Sequence, residues 1–483
     1  MSQLVSTLNG LIWSNALIIL CLGAGIYFSL STRFLQIRHI KEMVKLLFGG
    51  SSSEQGVSSF QAFALSVSGR VGTGNIAGVA TAIAMGGPGA LFWMWAIAFL
   101  GAGSAYVESV LAQIYKIEQD GEYRGGPAYY IEKGLGVKWY GVTFAVATII
   151  AMGFFLPGVQ SNSIASGVEN AFGINPFITG IVIIIFLGMI IFGGVKRISK
   201  AAEIIVPFMA AGYILIALII IVLNITKLPD VIALVFKSAF SFEPAFAGIV
   251  GMAISWGVKR GIYSNEAAQG TGPQAAAAAE VDHPAQQGLV QAFSVYIDTL
   301  FVCSATGFMI LITGMYNVYD KAGGFIVNNL DNVEIGPAYT QKAVESVFPA
   351  FGSQFVAIAL LFFAFTTLMA YYYIAETNVA YLIQKSGNKK LLINALRFAL
   401  LGSTFYGTIK TAELAWGLGD IGVGLMAWLN VIAILLLRKP AFKALKDYEE
   451  QIKSGKDLKF DPIKLGIKNA DFWIKDKKSK EVR

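Results

Sequence analysis

Charged residues, histidine and cysteine are all scarce in this chain. Only 14% of its 483 residues are charged, and it has two histidines and two cysteines. The histidines, His39 and His283, lie far apart in polar segments, so a metal or catalytic centre built on histidine is not expected. Cys21 and Cys303 fall inside apolar stretches without metal-ligand spacing, which is typical of small buried side chains.

Several sequence signatures of enzymes are also missing. The chain has no P-loop, no HExxH helix and no GxSxG with triad partners. Without these motifs we expect neither an enzyme nor ATP hydrolysis by this chain. The net charge of +7 does not indicate nucleic acid, because the basic residues cluster beside apolar stretches, where membrane topology accounts for them.

Apolar sequence is abundant. Hydrophobic residues make up 55% of the chain, its mean hydropathy is +0.62, and it has 52 glycines. These values indicate an all-α polytopic membrane protein, in which each span needs about 20 apolar residues. Eleven candidate spans result, at residues 11–30, 58–85, 89–115, 138–160, 175–193, 202–224, 244–279, 288–314, 350–383, 391–410 and 414–437.

The distribution of lysine and arginine predicts how the spans are oriented. Basic residues follow the first span, lie between later spans at 116–124, 196–200 and 385–390, and fill the tail at 438–483. Because basic loops favour the cytoplasmic side, we expect the N-terminus outside a cell membrane and the C-terminus in the cytoplasm. The tail is too polar to cross a bilayer, so a solvated or surface-lying segment is expected. No convincing signal peptide precedes the first span, which lacks a basic leader.

The spans also predict an internal repeat within a single transporter domain. With 11–30 set aside as an extra N-terminal helix, two sets of five spans remain, at 58–224 and 244–437. Since five is odd, the second set crosses in the opposite direction, which gives an inverted repeat. The segments GTGNIA at 72–77 and GTGPQA at 270–275, one in each leading span, are weakly similar, as a repeat predicts.

The segment GTGN at 72–75 lies near the middle of the first leading span. A helix in lipid keeps its backbone hydrogen bonds internal, and open backbone is tolerated only where protein or a water-filled cavity covers it. Glycines beside threonine and asparagine favour such an opening, so the amides of Thr73, Gly74 and Asn75 are candidate ligands for a carboxylate. Glycines that serve only helix packing are the simpler alternative.

The opening of the second leading span is harder to place, because 244–279 is longer than one crossing needs. Its midpoint predicts a break at Ser255, Trp256 and Gly257, which would then contact the substrate, with Trp256 as a pocket wall. The alternative is a break at 265–272, which contains the second GTG segment.

Two adjacent hydroxyls, Thr366 and Thr367, lie midway along the ninth span. They can bond carbonyls of their own helix, or they can supply hard oxygen ligands to a small monovalent cation. Facing the carbonyls of Ser68 and Val71, and beside Phe363 on their own helix, they would complete an uncharged oxygen site that suits sodium. Thr366 is also a candidate substrate contact.

Arg70 places a charge inside the first leading span. Such a charge costs roughly 2.5–3.5 kcal/mol on insertion scales, so it needs a partner or water. Glu108 and Asp298 also lie well inside apolar spans. We expect one of them to pair with Arg70 as a structural ion pair or gate, in preference to direct contact of Arg70 with a solute.

Three function classes fit this pattern. The first is a secondary carrier driven by sodium, and the second is a proton-coupled carrier with Glu108 or Asp298 as a proton relay. The third is an ion channel that uses the glycine-rich breaks as a filter, against which stands the lack of a re-entrant pore signature. We expect the protein to lie in a lipid bilayer, and the sequence indicates no obligatory protein partner.

Three motifs resemble the alanine/glycine:cation symporter family: GGPGALFWMW at 86–95, GTGNIAGV at 72–79 and NEAAQGTGP at 265–273. The resemblance runs over nearly the whole chain and implies a leucine-transporter-like fold with two broken helices. It also implies sodium-coupled transport of alanine or glycine, with the amino acid carboxylate on the first break and its amine and side chain on the second. Thr366, Thr367 and nearby carbonyls would hold one sodium ion as the coupling ion.

Overall fold

The computed structural model describes residues 2–49, 52–53, 55–242, 244–384, 388–455 and 457–474. Most of these residues are helical. The α-helices are α1 Ser2–Ile12, α2 Asn15–Ser31, α3 Leu35–Arg38, α4 Ile40–Leu47, α5 Ser59–Arg70, α6 Val79–Gly86, α7 Gly89–Ile114, α8 Pro127–Tyr130, α9 Lys138–Ile150, α10 Leu156–Phe172, α11 Pro176–Ile191, α12 Gly194–Leu223, α13 Leu228–Ala239, α14 Val250–Asn265, α15 Gly272–Ala278, α16 Pro284–Val295, α17 Ser304–Thr313, α18 Pro337–Val347, α19 Gly352–Leu382, α20 Lys389–Thr408, α21 Ala412–Leu436 and α22 Arg438–Lys453.

Two antiparallel hairpins and several irregular turns interrupt the helices. The hairpin strands are β1 Ile117–Gln119, β2 Glu122–Arg124, β3 Asn317–Tyr319 and β4 Phe325–Asn328. The π-helical segments are Gly74–Gly78, Ile131–Leu135, Ala151–Phe155 and Tyr296–Cys303, and the 3₁₀ turns are Ile225–Lys227 and Pro244–Ile249. Wide π turns often mark functional positions in helices. Two of them, Gly74–Gly78 and Tyr296–Cys303, pack against each other.

Within the described residues, seven helices are long and apolar enough to cross a membrane. They are Gln3–Ser31, Gly89–Ile114, Lys138–Phe172, Lys196–Leu223, Pro284–Thr313, Gly352–Leu382 and Ala412–Leu436. Each overlaps one predicted span. The other four predicted spans correspond to α11, α20 and two interrupted helices, α5–α6 and α14–α15. An all-helical polytopic membrane protein is confirmed.

The two interrupted helices lie side by side and run in opposite directions. At one face of the bundle, Val57 before α5 bridges Ala279 after α15. At the other face α6 packs on α14, where a Cβ at Gly86 would come within 3.0 Å of the Ala253 Cα. We call the first the tail face and the second the vestibule face, after the features described below.

Helix α7 lies at the centre of the bundle, in contact with α2, α14, α15 and α16. Small residues allow this close approach, as is usual between helices in membranes. A Cβ at Gly101 would lie 2.9 Å from the Ala267 Cβ, and one at Gly288 only 2.5 Å from the Val110 Cγ2. The abundance of glycine in the sequence therefore serves packing as well as helix opening.

The basic tail is packed along the tail face for the whole length that the structure describes. After α22, residues 457–474 bury Phe460 and Trp473, and the Trp473 indole donates to the Gln113 carbonyl at 2.9 Å. Within the described residues the tail therefore lies on the surface of the protein, anchored by buried aromatic side chains while much of the segment stays exposed. Residues 475–483 of the predicted tail lie outside the described residues.

We expect Trp473→Ala to release the tail, since loss of a buried tryptophan side chain typically costs about 3 kcal/mol. Trypsin cleavage after Lys468 in solubilised protein measures the opening, and its rate should rise by roughly tenfold or more. Ile463→Ala is the matched control, because Ile463 is 67% exposed. Unchanged cleavage of the Trp473 variant would contradict a packed tail.

Candidate functional site

The first leading helix opens where the sequence predicts. α5 ends at Arg70, Val71 has an extended backbone with φ −76° and ψ 90°, and helical structure resumes at Gly74 as a π turn. Gly72 permits this path, because a Cβ there would collide with the Thr367 hydroxyl on α19. A larger residue at position 72 would push the opened backbone away from α19.

Side chains bond the backbone amides that this opening exposes. The Gly72 amide donates to Asn75 Oδ1 at 2.8 Å, and the Thr73 amide donates to Gln160 Oε1 at 3.0 Å. Gln160 lies on α10 and donates in turn to the Tyr371 hydroxyl. Its oxygen occupies the position that a carboxylate oxygen would need. The sequence analysis missed Gln160, because an isolated glutamine in an apolar helix forms no motif.

Two polar groups beside the first opening are left unpaired by the residues that the structure describes. The hydroxyls of Thr73 and Tyr263 are buried and have no hydrogen-bond partner among the described residues. Gly74 faces the end of α14, where an added Cβ would lie 3.1 Å from the Ser264 Cα. The two interrupted helices therefore touch beside the predicted carboxylate site.

The second leading helix opens later than the midpoint prediction placed it. α14 continues to Asn265, residues 266–271 are not helical, and α15 begins at Gly272. Three residues in this segment have positive φ: Glu266, Ala268 and Gly270. The alternative position at 265–272 is confirmed, and the break at 255–257 is wrong.

The midpoint failed because Pro244–Ile249 forms a separate 3₁₀ turn and does not belong to the crossing helix. Gly257 serves packing, since a Cβ there would lie 2.5 Å from the Ala90 carbonyl oxygen on α7. Ser255 and Trp256 line a cavity at the vestibule face. Their contact with a substrate stays a prediction, now without a helix break beside them.

Glu108 on α7 holds the second break. Its Oε1 accepts from the Ala268 amide at 3.2 Å, and its Oε2 accepts from Asn430 Nδ2 at 2.7 Å. Asn430 also donates to the Ala268 carbonyl at 2.9 Å and accepts from the Tyr130 hydroxyl. A carboxylate and an amide thus replace the backbone bonds that the helix loses. Asn430, on α21, is a second residue that the sequence analysis missed.

Asp298 joins the two interrupted helices. Its Oδ1 accepts from Asn75 Nδ2 of the first helix at 2.7 Å and from Ser264 Oγ of the second at 3.1 Å. Its Oδ2 accepts from Thr299 at 2.7 Å. The carboxylate is fully buried. Neither helix can move away from the other without breaking a bond to this buried acid.

Arg70 does not form the predicted ion pair in this structure. It donates to the Gln291 carbonyl at 3.2 Å and to the Ser294 hydroxyl, both on α16. No carboxylate oxygen of a described residue lies within 4.0 Å of it, although Glu266, Glu108 and Asp298 are near enough for electrostatic attraction. The reason is that the donors at the two helix breaks already bond these acids.

Most of the predicted cation ligands form one cluster of oxygens. Thr367 Oγ1 lies 2.9 Å from the Ser68 carbonyl oxygen, 3.4 Å from that of Val71 and 2.9 Å from that of Phe363. The Ser68 carbonyl is turned toward α19 because its usual helix partner, the Gly72 amide, bonds a side chain. The opening of α5 therefore creates the cluster.

Thr366 contacts this cluster only through the Phe363 carbonyl and does not reach α5. Its hydroxyl donates to the Phe363 carbonyl at 2.9 Å and lies 3.8 Å from the Met209 sulfur on α12. Adjacent residues on a helix point about 100° apart, so only one of two neighbouring threonines can face α5. Thr366 is the one that faces away.

A cavity of about 660 Å³ opens at the vestibule face and ends at a charged cluster. Arg260 Nη1 and Nη2 lie 2.8 and 3.0 Å from the two Asp420 oxygens, and Lys259 Nζ lies 2.7 Å from Oδ2. The Arg260 guanidinium is 4.6 Å from the Trp416 ring centre. Both side chains lie 3.8 Å from the Cβ position of Gly78, just beyond the first break. The cluster therefore separates the cavity from the break.

Polar contacts close the tail face. Arg124 Nη2 lies 2.9 Å from the Glu122 carboxylate and 3.2 Å from that of Glu376. Burial lowers the pKa of Arg124, but the carboxylates of Glu376 and Glu122 outweigh burial and raise that pKa above its ordinary value. The Tyr373 hydroxyl donates to the Gln274 carbonyl of α15 at 3.0 Å. The cavity left between α5 and α15 is only about 10 Å³.

A cavity open to one face, with two interrupted helices behind its closed end, is the arrangement of a membrane carrier. The chain belongs to the sodium:alanine symporter family, whose sequence model matches residues 1–462. The family predicted from the motifs is thereby confirmed, and the protein is a transporter and not an enzyme.

Individual relatives cover nearly the whole chain. The putative sodium/proton-dependent alanine carrier protein YrbD of Bacillus subtilis (strain 168) is 67% identical over 476 residues, 99% of this chain and 98% of the relative. The sodium/proton-dependent alanine carrier protein of Bacillus sp. (strain PS3) is 57% identical, over 89% of this chain and 97% of the relative. The probable sodium/glutamine symporter GlnT of Bacillus subtilis (strain 168) is 46% identical, over 95% and 93%.

We expect Gly72→Ala to destabilise the protein by about 1–3 kcal/mol, because its Cβ would collide with the Thr367 hydroxyl in a packed interior. Gly212→Ala is the control, since no atom lies within 4 Å of the Cβ position at Gly212 in α12. Thermal unfolding of both variants in detergent measures the difference. Equal midpoints would show that the opened backbone does not need glycine at position 72.

Proposed function

We propose that the protein is a secondary active symporter that imports alanine, glycine or both together with sodium by alternating access. The observation that carries this proposal is the joining of two interrupted helices by Asp298, with the Thr367 oxygen cluster beside the first break. The names of two relatives support alanine as the solute, and all three names include sodium.

In this proposal the vestibule face is outside the cell and the tail face is cytoplasmic. Eleven spans form one extra helix at 11–30 and two inverted repeats at 58–224 and 244–437. The lysine-rich tail and the antiparallel course of the two interrupted helices support this arrangement. The cavity of about 660 Å³ would then be open to the outside.

The amino acid carboxylate takes the place of the Gln160 oxygen at the Thr73 amide and reaches the amides that follow it. A carboxylate is a stronger acceptor than a neutral amide oxygen, and the start of a helix favours a negative charge. The unbonded hydroxyls of Thr73 and Tyr263 offer further contacts. The close approach of Gly74 to Ser264 leaves little room for a side chain, which supports a small amino acid such as alanine or glycine.

One sodium ion binds among the carbonyls of Ser68, Val71 and Phe363 and the hydroxyl of Thr367. These four oxygens already converge, with Thr367 within 2.9–3.4 Å of the three carbonyl oxygens. Neutral carbonyls and hydroxyls can replace the hydration shell of a monovalent ion. One such ion falling through ~100 mV releases about 2.3 kcal/mol, enough for roughly 50-fold accumulation of the solute.

Two buried ion pairs act as alternating barriers. Arg260 with Asp420 closes the path from the vestibule, and Arg124 with Glu376 closes the path to the tail face. The Arg260–Asp420 pair is bidentate, and such pairing is strong and directional, which suits a contact that is either made or fully broken. In the transport cycle one barrier opens while the other stays closed.

A proton is the second candidate for the coupling ion. Asp298 favours it, because this acid is fully buried and bonded to both interrupted helices. The names of two relatives include a proton as well as sodium. Protonation of Asp298 would remove its acceptor capacity on one oxygen and so loosen the contact between the helices.

We expect Thr367→Ala to raise the sodium concentration that half-saturates alanine uptake by roughly tenfold, since it removes one ligand worth on the order of 1.4 kcal/mol. Thr366→Val is the matched control, because that hydroxyl faces Met209, away from the cluster. Uptake of radiolabelled alanine into proteoliposomes measures both. An unchanged sodium requirement in Thr367→Ala would show that sodium does not bind at the Thr367 cluster.

The two coupling ions are distinguished by imposing one gradient at a time. We expect alanine uptake with an inward sodium gradient at equal pH, and background uptake when choline replaces sodium. Uptake driven by an inward proton gradient without sodium, and abolished by Asp298→Asn, would instead establish the proton as the coupling ion. Glu413→Gln, on the vestibule wall, is the control for a change of an acid to its amide.

A further inference from the structure

Helix α1, which largely precedes the extra helix predicted at 11–30, forms part of the wall of the vestibule. Four of its residues line the cavity: Val5, Ser6, Asn9 and Gly10. Trp13, directly after α1, lines it as well and is 9% exposed. These residues stand opposite α14 across the charged cluster.

Two of these side chains bond Asp420, the acid at the end of the cavity. The Trp13 indole donates to the Asp420 carbonyl at 2.8 Å, and Asn9 Nδ2 lies 3.5 Å from Asp420 Oδ2. Asn9 also accepts from Lys259 Nζ at 3.2 Å. One asparagine therefore bonds an acid on α21 and a base on α14, the two sides of the charged cluster.

Behind these contacts, α1 is packed tightly on α21. A Cβ at Gly417 would lie 2.6 Å from Val5 Cγ1, and one at Gly424 would collide with Ile12. The Trp428 indole donates to the Ile12 carbonyl at 3.0 Å. The contact runs along about three turns of α21, so α1 is tied to that helix.

We propose that Asn9 and Trp13 are positioning residues of the vestibule barrier, an inference that rests on the proposed role of the Arg260–Asp420 pair. α1 holds Asp420 on the α21 side. Opening toward the first break requires α14 to carry Arg260 and Lys259 away from it. Asn9 resists this movement, because it bonds both sides of the barrier. Through these two residues, the N-terminal segment that holds α1 and Trp13 sets how readily the solute site opens to the vestibule.

The barrier can be measured with a thiol placed behind it. Gly78→Cys adds a side chain in ordinary contact with Arg260 and Trp416, at 3.8 Å from each. The native cysteines, Cys21 and Cys303, are both buried. A water-soluble methanethiosulfonate reagent reaches the Gly78→Cys thiol when the barrier opens, so its modification rate reports opening. The rate for the protein that keeps Gly78 is subtracted as background.

In the Gly78→Cys protein, we expect Asn9→Ala to raise the modification rate by roughly tenfold, since it removes bonds to two charged groups. Trp13→Phe, which keeps an aromatic side chain but loses the indole N–H donor, should raise it as well. Ser6→Ala is the control, because Ser6 lines the same cavity on the same helix. The unfolding midpoints of Asn9→Ala and Ser6→Ala should match.

Arg260→Ala separates the failure of this inference from failure of the barrier itself. If Arg260→Ala raises the modification rate and Asn9→Ala does not, the positioning role of α1 is wrong and the barrier stands. If neither substitution raises the rate, the Arg260–Asp420 pair is not a barrier. A faster rate in Asn9→Ala that is matched by a lower unfolding midpoint would reduce Asn9 to a structural contact and overturn the inference.

Discussion

A backbone amide or carbonyl that loses its helix partner inside a bilayer must find another polar group. The candidate site is built on this requirement. Asn75 bonds the Gly72 amide, Gln160 bonds the Thr73 amide, and Glu108 bonds the Ala268 amide. Each substitute is a side chain, which can rotate away when a ligand offers a better acceptor. In the proposed function, the carboxylate of the solute displaces one of them, Gln160, from the Thr73 amide.

The same requirement links the predicted solute site to the predicted ion site. Because the Gly72 amide bonds Asn75, it leaves the Ser68 carbonyl to the Thr367 cluster. Asn75 in turn donates to Asp298, which accepts from the second interrupted helix as well. A buried acceptor that loses its donors costs free energy, so a change in the hydrogen bonds at one break alters the stability of the other. In the proposed function, these shared hydrogen bonds are what couples the ion to the solute.

Residue types in the sequence predicted the first break, because two glycines around a threonine weaken a helix in the middle of a span. The second break was misplaced, since hydropathy could not separate the turn Pro244–Ile249 from the helix that follows. Thr366 and Thr367 could not be told apart without knowing which side of α19 faces α5. Gln160 could not be found at all, because its contact with Thr73 joins positions 87 residues apart.

The central claim is that one set of hydrogen bonds couples ion and solute, and reciprocal binding tests it most directly. In purified protein, saturating sodium should lower the dissociation constant of alanine by roughly tenfold, and saturating alanine should lower that of sodium by the same factor. Scintillation proximity binding with each labelled ligand measures both factors. Alanine affinity that does not change with sodium, while both ligands bind, would contradict the account.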